Sequence, residues 1–203
     1  MLYLSQMLEN TQLEPFDMNN LPLVVDVVEP LWYPPVGNKE FKRFNVEYIV
    51  RNNILENNYR FQLVKDGTFL AAAFFARKGD CCLVDEWFAR ESQRFPKEWQ
   101  RASGMSKAYL TLMDERTLEI MNDDDIKLSL FVSHQPGAGS QILDHTCKKL
   151  RDEGWKNLYL WTDCDCNWHW YEKHGFTLIK DYVYEPFSSE KTDYKTYIFK
   201  RKL

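Results

Sequence analysis

The stretch Leu128-Ser129-Leu130-Phe131-Val132-Ser133-His134-Gln135-Pro136-Gly137-Ala138-Gly139-Ser140 decides the fold. Its first six residues predict an apolar strand, which runs into a turn that contains two glycines. An amphipathic helix follows to Glu153, because its apolar residues fall on one stripe and Gly154 ends it. The N–H groups of a helix's first turn are unpaired, and the positive end of the helix dipole lies behind them. The segment therefore predicts a seat for an anion such as a phosphate.

A second strand and a second motif follow this helix. Residues 158–161 predict the strand, and residues 167–176 spell Asn-Trp-His-Trp-Tyr-Glu-Lys-His-Gly-Phe. Tyr171 in this motif comes one strand and one short helix after the glycine turn, so its hydroxyl can donate a proton beside the anion seat. The two motifs together predict a transferase that uses a phosphate-bearing carrier.

The remaining chain predicts a mixed, mostly antiparallel α/β sheet that is flanked by helices, with one helical crossover after the glycine turn. The expected elements, in order, are a short helix ending near Pro15, a valine-rich first strand at 21–28, a helix at 39–55, a hairpin of 59–65 and 68–77 around Asp66-Gly67, a helical insertion at 80–122 before the central strand, and strands at 176–184 and 193–200. We expect one domain over residues 1–203, because no linker or repeat divides it.

Composition excludes several classes of function. A net charge of −4 and an isoelectric point near 5.6 argue against nucleic-acid partners. The longest apolar run, residues 69–76, is far short of the roughly 20 residues that span a bilayer. Five cysteines, an odd count, and an N-terminus without a cleavage-like site favour a reducing compartment, so we expect a cytoplasmic protein without membrane partners.

The order of elements and the two motifs resemble the GCN5-related N-acetyltransferase (GNAT) superfamily. Gly137 and Gly139 match the small positions of that family's Gln/Arg-x-x-Gly-x-Gly/Ala turn, although His134 stands where Gln or Arg is expected. Asn167, Tyr171 and the residues up to Phe176 resemble its Asn-x-x-x-Tyr-Glu-Lys-x-Gly-Phe ending.

The resemblance implies that residues 126–176 form a core that binds acetyl-CoA, the acetyl donor. The cofactor-binding residues that it implies are Phe131, Val132 and Ser133 along the pantetheine, Gln135, Pro136, Gly137, Ala138, Gly139 and Ser140 around the pyrophosphate, and Asn167 and Lys173 after the next strand. Tyr171 would protonate the departing CoA thiolate. The acceptor would be a primary amine of a small molecule or a peptide, and transfer would be direct.

The chemistry also needs a base, because an alkyl amine with a pKa of about 10.4 is neutral in only about one molecule in a few thousand at pH 7. Asp163, at the exit of the second strand, is the first candidate, and Glu86 and His134 are others. Asp163 could equally form only the turn into the short helix. The tetrahedral oxyanion would bind a strand N–H near Val132.

Other interpretations stay open. A catalytically silent module could bind acyl-CoA without turnover, or an interaction protein could use the glycine turn only as a turn. Trp161, Trp168 and Trp170 could line an acceptor site, a core or a homodimer contact. We expect no metal site, because Cys164 and Cys166 are spaced too tightly for zinc and the nearby histidines diverge on a helix.

Overall fold

A computed structural model of the chain describes residues 10–203. Its strands are β1 (Gln12–Pro15), β2 (Arg60–Lys65), β3 (Thr68–Ala76), β4 (Asp125–Ser133), β5 (Asn157–Asp163), β6 (Thr177–Val183) and β7 (Lys195–Lys202). Its helices are α1 (Leu21–Trp32), α2 (Lys39–Asn52), α3 (Val84–Ser92), α4 (Lys97–Ile120), α5 (Ala138–Asp152) and α6 (His169–Lys173).

The seven strands form one sheet in the order β1-β2-β3-β4-β5-β7-β6. Every neighbouring pair is antiparallel except β4 and β5, which are parallel and joined by the crossover helix α5. This confirms the predicted mixed, mostly antiparallel sheet and its single helical crossover. It also confirms the helical insertion, because α3 and α4 lie between β3 and β4.

The predicted first strand at 21–28 is wrong, because these residues belong to α1. Leu21, Val24, Val25 and Val28 are the buried residues, and their spacing is that of one helical face. The valines' preference for strands misled the prediction, whereas the period of the buried residues gives the correct element.

The true first strand lies earlier in the chain. Residues 12–15, expected at the end of a short helix, form β1 and pair with β2. The rest of that expected helix falls partly on residues 1–9, which lie outside the described residues.

Helices cover both faces of the sheet. Helix α5 packs on one face, where Ile142, Leu143 and Leu150 join the largest core cluster with residues of β2–β5. Helices α1 and α2 cover β3 and β4 on the opposite face, and α4 covers β5 and β7 there. The inserted helix α4 therefore covers part of the sheet face opposite α5. None of the described helices is long and apolar enough to cross a membrane.

Strands β4 and β5 pair over only three positions and then separate. The pairs are Asp125 with Asn157, Ile126 with Leu158, and Lys127 with Tyr159. Beyond them, residues 128–133 of β4 keep β3 as their neighbour, and residues 160–163 of β5 keep β7. We call the space between these two segments the strand gap.

A buried ion pair lies where the strand gap begins. Lys127 has a side chain that is 2% exposed, and its ammonium pairs with Asp114 of α4. The indole N–H of Trp161 donates to the same carboxylate oxygen at 2.6 Å. These contacts tie the insertion helix to both β4 and β5, because a buried ammonium without its partner is costly.

We expect Asp114→Ala to lower the free energy of unfolding by about 3 kcal/mol, because it leaves the Lys127 ammonium buried and unpaired. The double variant Asp114→Leu/Lys127→Met should recover most of this loss, since it removes both charges. Urea unfolding followed by tryptophan fluorescence measures both effects.

The matched control is Asp85→Ala, which removes the exposed Lys107–Asp85 pair of 2.6 Å. That pair should contribute less than about 1 kcal/mol. Equal losses for Asp114→Ala and Asp85→Ala would contradict a structural role for the buried pair.

Candidate functional site

The glycine turn shapes the start of α5 at one side of the strand gap. Gly137 has a φ of 84°, a left-handed conformation that favours glycine. A Cβ on Gly139 would lie 3.2 Å from Cζ of Phe131, so this glycine lets the helix approach β4 closely. Both glycines therefore have structural reasons to be there, apart from any ligand.

The first turn of α5 has the backbone donors that the sequence predicts. The N–H of Ala138 bonds to the Gln135 carbonyl at 3.2 Å, and the first helical bond runs from Gln141 to Gly137 at 3.3 Å. The N–H groups of Gly139 and Ser140 lie between these two and precede the helical hydrogen-bond ladder. We call these two donors the anion seat, because the sequence predicts that an anion binds at this helix terminus.

A chain of side-chain contacts joins α5 to α6. The Ser140 hydroxyl lies 3.2 Å from Nε2 of His174, and Nδ1 of His174 lies 2.7 Å from the Trp170 carbonyl. The His174 ring also stacks on the Trp170 indole, with centroids 3.6 Å apart. Sequence reasoning missed His174 as a positioning residue. Its spacing of four from Trp170 on a helix was the available signal.

The backbone of β4 presents alternate polar groups to the strand gap. The pairs Ala71–Ser133 and Ala72–Val132, with a bond from His134 N–H to the Leu70 carbonyl of 2.8 Å, fix the register. Along an antiparallel strand, the backbone N–H groups point alternately toward the partner strand and away from it. Since the N–H of His134 bonds to β3, the N–H of Val132, two residues earlier, also points to β3. The N–H groups of Phe131 and Ser133 point into the strand gap instead.

Asp163 and Tyr171 lie close together at the other side of the gap. Burial raises the pKa of Tyr171, and the nearby charges of Cys166 and Asp163 raise it further. The ring of Tyr171 packs between Phe176 and Phe199, with centroids 5.6 and 6.0 Å away. Tyr171 is therefore protonated at neutral pH and keeps a proton to donate.

The environment of Asp163 suits a base. Burial raises the pKa of its carboxyl group, while hydrogen bonds from the side chains of Cys166 and Tyr194 oppose that rise. Sequence reasoning missed Tyr194, because it reaches Asp163 from the far end of the β6–β7 connection. Nothing in the sequence places this connection beside β5.

The other predicted site residues lie at the rim. Asn167, Lys173 and Pro136 are exposed, and Gln135 is half-buried, with its carbonyl accepting the Ser133 hydroxyl at 2.7 Å. The alternative bases Glu86 and His134 are both exposed.

The three tryptophans each contact a different partner. Trp161 packs on Tyr109 of α4, Trp168 on Tyr197 of β7, and Trp170 on Phe131 of β4, with centroids 5.5, 4.7 and 5.3 Å apart. Of the three tryptophans, only Trp170 packs on β4.

Two surface cavities lie away from the strand gap. One of 490 Å³ lies between α1 and α2, and one of 320 Å³ lies between α2 and α3. Asp26, which lines the first, pairs at 2.7 Å with Arg43, which lines the second, and Arg94 pairs with Glu91 at 2.9 Å in the second. Because these charges already pair within the protein, we do not place the chemistry there.

The described residues show no disulfide and no cluster of metal ligands. All five cysteines are free thiols. Within residues 10–203, no group of three or more His, Cys, Asp or Glu side chains is arranged to hold a metal ion.

The chain resembles solved structures in fold, although no family model matches its sequence. No curated protein matches it either. The C-terminal condensation domain of Ebony, solved with β-alanyl-dopamine, superposes with a TM-score of 0.63 at 8% identity, covering 96% of this chain and 99% of that one. The fold is that of the GCN5-related N-acetyltransferases.

Two further structures share the GNAT fold. An agmatine N-acetyltransferase mutant gives a TM-score of 0.52 at 14% identity and covers 96% of this chain and 100% of its own. The ribosomal-protein-S18-alanine N-acetyltransferase from Escherichia coli gives 0.50 at 13% identity, with 95% and 93% covered. These similarities establish the GNAT fold.

We expect Asp163→Asn to stabilise the protein increasingly as pH rises above about 4. Because the folded-state pKa of Asp163 is raised, its neutral form favours folding below the unfolded pKa. That contribution is lost as pH rises through the folded pKa, and asparagine does not titrate. Melting temperatures of both proteins between pH 4 and pH 8 test the sign.

Asp152→Asn, at an exposed position on α5, is the control. The difference between its melting temperature and that of the wild type should stay constant over the same pH range. A flat difference for Asp163→Asn as well would show that the carboxylate is not buried in solution.

Proposed function

We propose that the protein transfers an acetyl group from acetyl-CoA directly to a primary amine. The observation that carries this proposal is the strand gap, which has the N-terminus of α5 on one side and Asp163 with Tyr171 on the other. A carrier whose phosphates bind the helix terminus can extend its thioester arm into the gap. The proposal treats residues 1–203 as one unit, with 126–176 as the carrier-binding core.

The diphosphate of CoA would bind the N–H groups of Gly139 and Ser140. The pantetheine arm would then lie in the strand gap and pair with the backbone of Phe131 and Ser133, whose N–H groups face it. Asn167 and Lys173, at the rim, would contact the arm and the phosphates.

The transfer step needs three groups. Asp163 takes a proton from the acceptor ammonium, directly or through water, so that the amine nitrogen can attack the thioester carbon. The oxyanion that forms accepts hydrogen bonds from β4 N–H groups that face the gap. The C–S bond then breaks, and the thiolate takes its proton from Tyr171.

A direct transfer fits better than a cysteine-linked intermediate. Cys166 lies beside Asp163, but burial and the carboxylate raise the pKa of its thiol to about 11. At neutral pH such a thiol is almost entirely protonated and is a poor nucleophile.

The comparisons support acetyl transfer as the class of reaction. Two of the structures that share the fold are described as N-acetyltransferases, with agmatine and a ribosomal-protein alanine in their names. Their acceptors differ from each other, so they suggest an amine in general. The cytoplasmic location stays a prediction.

One observation favours a second candidate, a silent module that binds acyl-CoA without turnover. The Phe131 ring lies between the start of α5 and the Trp170 indole, so it covers part of the entrance to the gap. His134 also stands where the family's motif has Gln or Arg. Acetyl-CoA binding without amine turnover would select this candidate.

We expect acetyl-CoA at 100 times its Kd to stabilise the protein by about 2.7 kcal/mol, which raises the melting temperature by a few degrees. Ser140→Pro should weaken this binding at least about tenfold, because it removes one N–H of the seat within the first turn of α5, where that N–H has no helical partner to lose.

Ser140→Ala is the control for this experiment, since it loses the contact with His174 but keeps the N–H. Equal binding by the alanine and proline variants would argue against the seat. No stabilisation of the wild type at millimolar acetyl-CoA would refute the proposed carrier.

We expect Tyr171→Phe to lower kcat about 100-fold while the Kd for acetyl-CoA stays nearly unchanged, because it removes the proton donor and keeps the ring. Thiol release under saturating amine measures kcat, and titration calorimetry measures Kd. Tyr182→Phe, outside the gap, should leave both values unchanged. A kcat of wild-type size for Tyr171→Phe would remove its role as the acid.

A further inference from the structure

Asp163 is a partly buried acid without a cationic partner among the described residues. Burial raises its pKa, and its hydrogen bonds come from the Asp165 N–H at 3.1 Å and from the side chains of Cys166 and Tyr194 rather than from a basic side chain. In the part of the chain that the structure describes, residues 10–203, no Lys, Arg or His lies within ion-pair distance of its carboxylate. A buried carboxylate is normally paired, so this one favours a ligand that carries a cation.

The surroundings of this carboxylate are aromatic. Rings from α4, β5 and the β6–β7 connection meet here, and we call them the aromatic wall: Tyr109, Trp161, Tyr184, Phe187 and Tyr194. The Tyr109 ring lies 5.5 Å from Trp161, 4.7 Å from Tyr184, 5.2 Å from Phe187 and 5.8 Å from Tyr194. Tyr109 is buried, whereas the other four rings are only partly buried and can contact a ligand.

A buried oxygen without a hydrogen-bond partner in residues 10–203 lies on β4 where it borders the strand gap. Leu128 pairs with Phe75 and Leu130 with Phe74, so Ser129 is the extra residue of a β-bulge. Its hydroxyl oxygen is buried and has no hydrogen-bond partner among the described residues. Ser129 lies two residues beyond Lys127, the last residue of β4 that pairs with β5, and so it borders the strand gap. Such an oxygen fits a ligand that carries N–H donors.

We propose that the acceptor is an aryl-alkyl primary amine, which binds with its ammonium against Asp163 and its ring against the aromatic wall. This inference rests on the proposed acetyl transfer. In the reaction, the ammonium gives one proton to Asp163, and the neutral nitrogen then attacks the acetyl carbon. The C–S bond breaks, and the sulfur takes a proton from Tyr171. The nitrogen loses its second proton as the amide forms, and this proton restores the Tyr171 hydroxyl through water. The products are the N-acetyl amine, CoA thiol and one proton that Asp163 returns to water.

Two other acceptor classes fit the site less well. A polyamine needs a second carboxylate, but Asp114 already pairs with Lys127 and Trp161. Asp165, the next acid along the chain, is exposed, where an ion pair contributes little. An acceptor with its own carboxylate needs a cation, and Asp163 has none beside it in residues 10–203.

The test compares three amines with the full chain and acetyl-CoA: 2-phenylethylamine, spermidine and a peptide with an N-terminal alanine. Thiol release should give a kcat/KM for 2-phenylethylamine at least tenfold above either of the others. Phe187→Leu should raise the KM for 2-phenylethylamine about tenfold and leave the Kd for acetyl-CoA unchanged, because it removes only a ring of the wall. Phe88→Leu, in the α2–α3 contact, should change neither value.

The outcomes separate this inference from the proposed function. If acetyl-CoA binds and spermidine or the peptide is the better acceptor, the aryl-alkyl class is wrong and acetyl transfer stands. If Phe187→Leu and Phe88→Leu behave alike, the aromatic wall is not the acceptor site. If acetyl-CoA does not bind, both proposals fail.

Discussion

The buried ion pair between Lys127 and Asp114 is the interaction on which the rest of the structure depends. Lys127 is the last residue of β4 that pairs with β5, and its ammonium also ties the insertion helix α4 to the sheet. The Trp161 indole joins the same carboxylate from β5, so three elements meet at one charged point. The strands separate immediately beyond it. The strand gap therefore begins at a fixed position, and both the anion seat and Asp163 are placed relative to that position.

Much of the fold follows from local signals in the sequence. Asp66-Gly67 forms the turn of the β2–β3 hairpin, and the glycine turn before α5 leads into the parallel crossover. These signals act within a few residues, so a reader of the sequence can find them. The prediction failed at 21–28, where strand propensity and helical period disagree. The period wins there because burial against the sheet outweighs the valines' weak intrinsic preference.

The site could be predicted only in part, for a reason of topology. Tyr171 and Asp163 were proposed from the sequence, because Asp163 ends β5 and Tyr171 follows it closely along the chain. Tyr194 and Ser129 were not, since one depends on β7 lying between β5 and β6 and the other on a bulge in β4. Strand order and bulges are decided by long-range pairing, which leaves no local pattern in a single sequence.

The short pairing between β4 and β5 also bears on how the chain folds. It divides the sheet into four strands from residues 12–133 and three strands from residues 157–202. Each half of the sheet is thus built from a continuous segment, and its pairings close loops within that segment. Among the described residues, β4 and β5 pair at only three positions, and one more backbone bond runs from Lys156 N–H to the Asp124 carbonyl at 2.9 Å. We therefore expect the two halves to form early and their docking along β4 and β5 to come late. The strand gap, where the chemistry would occur, is then the last part of the molecule to assemble during folding.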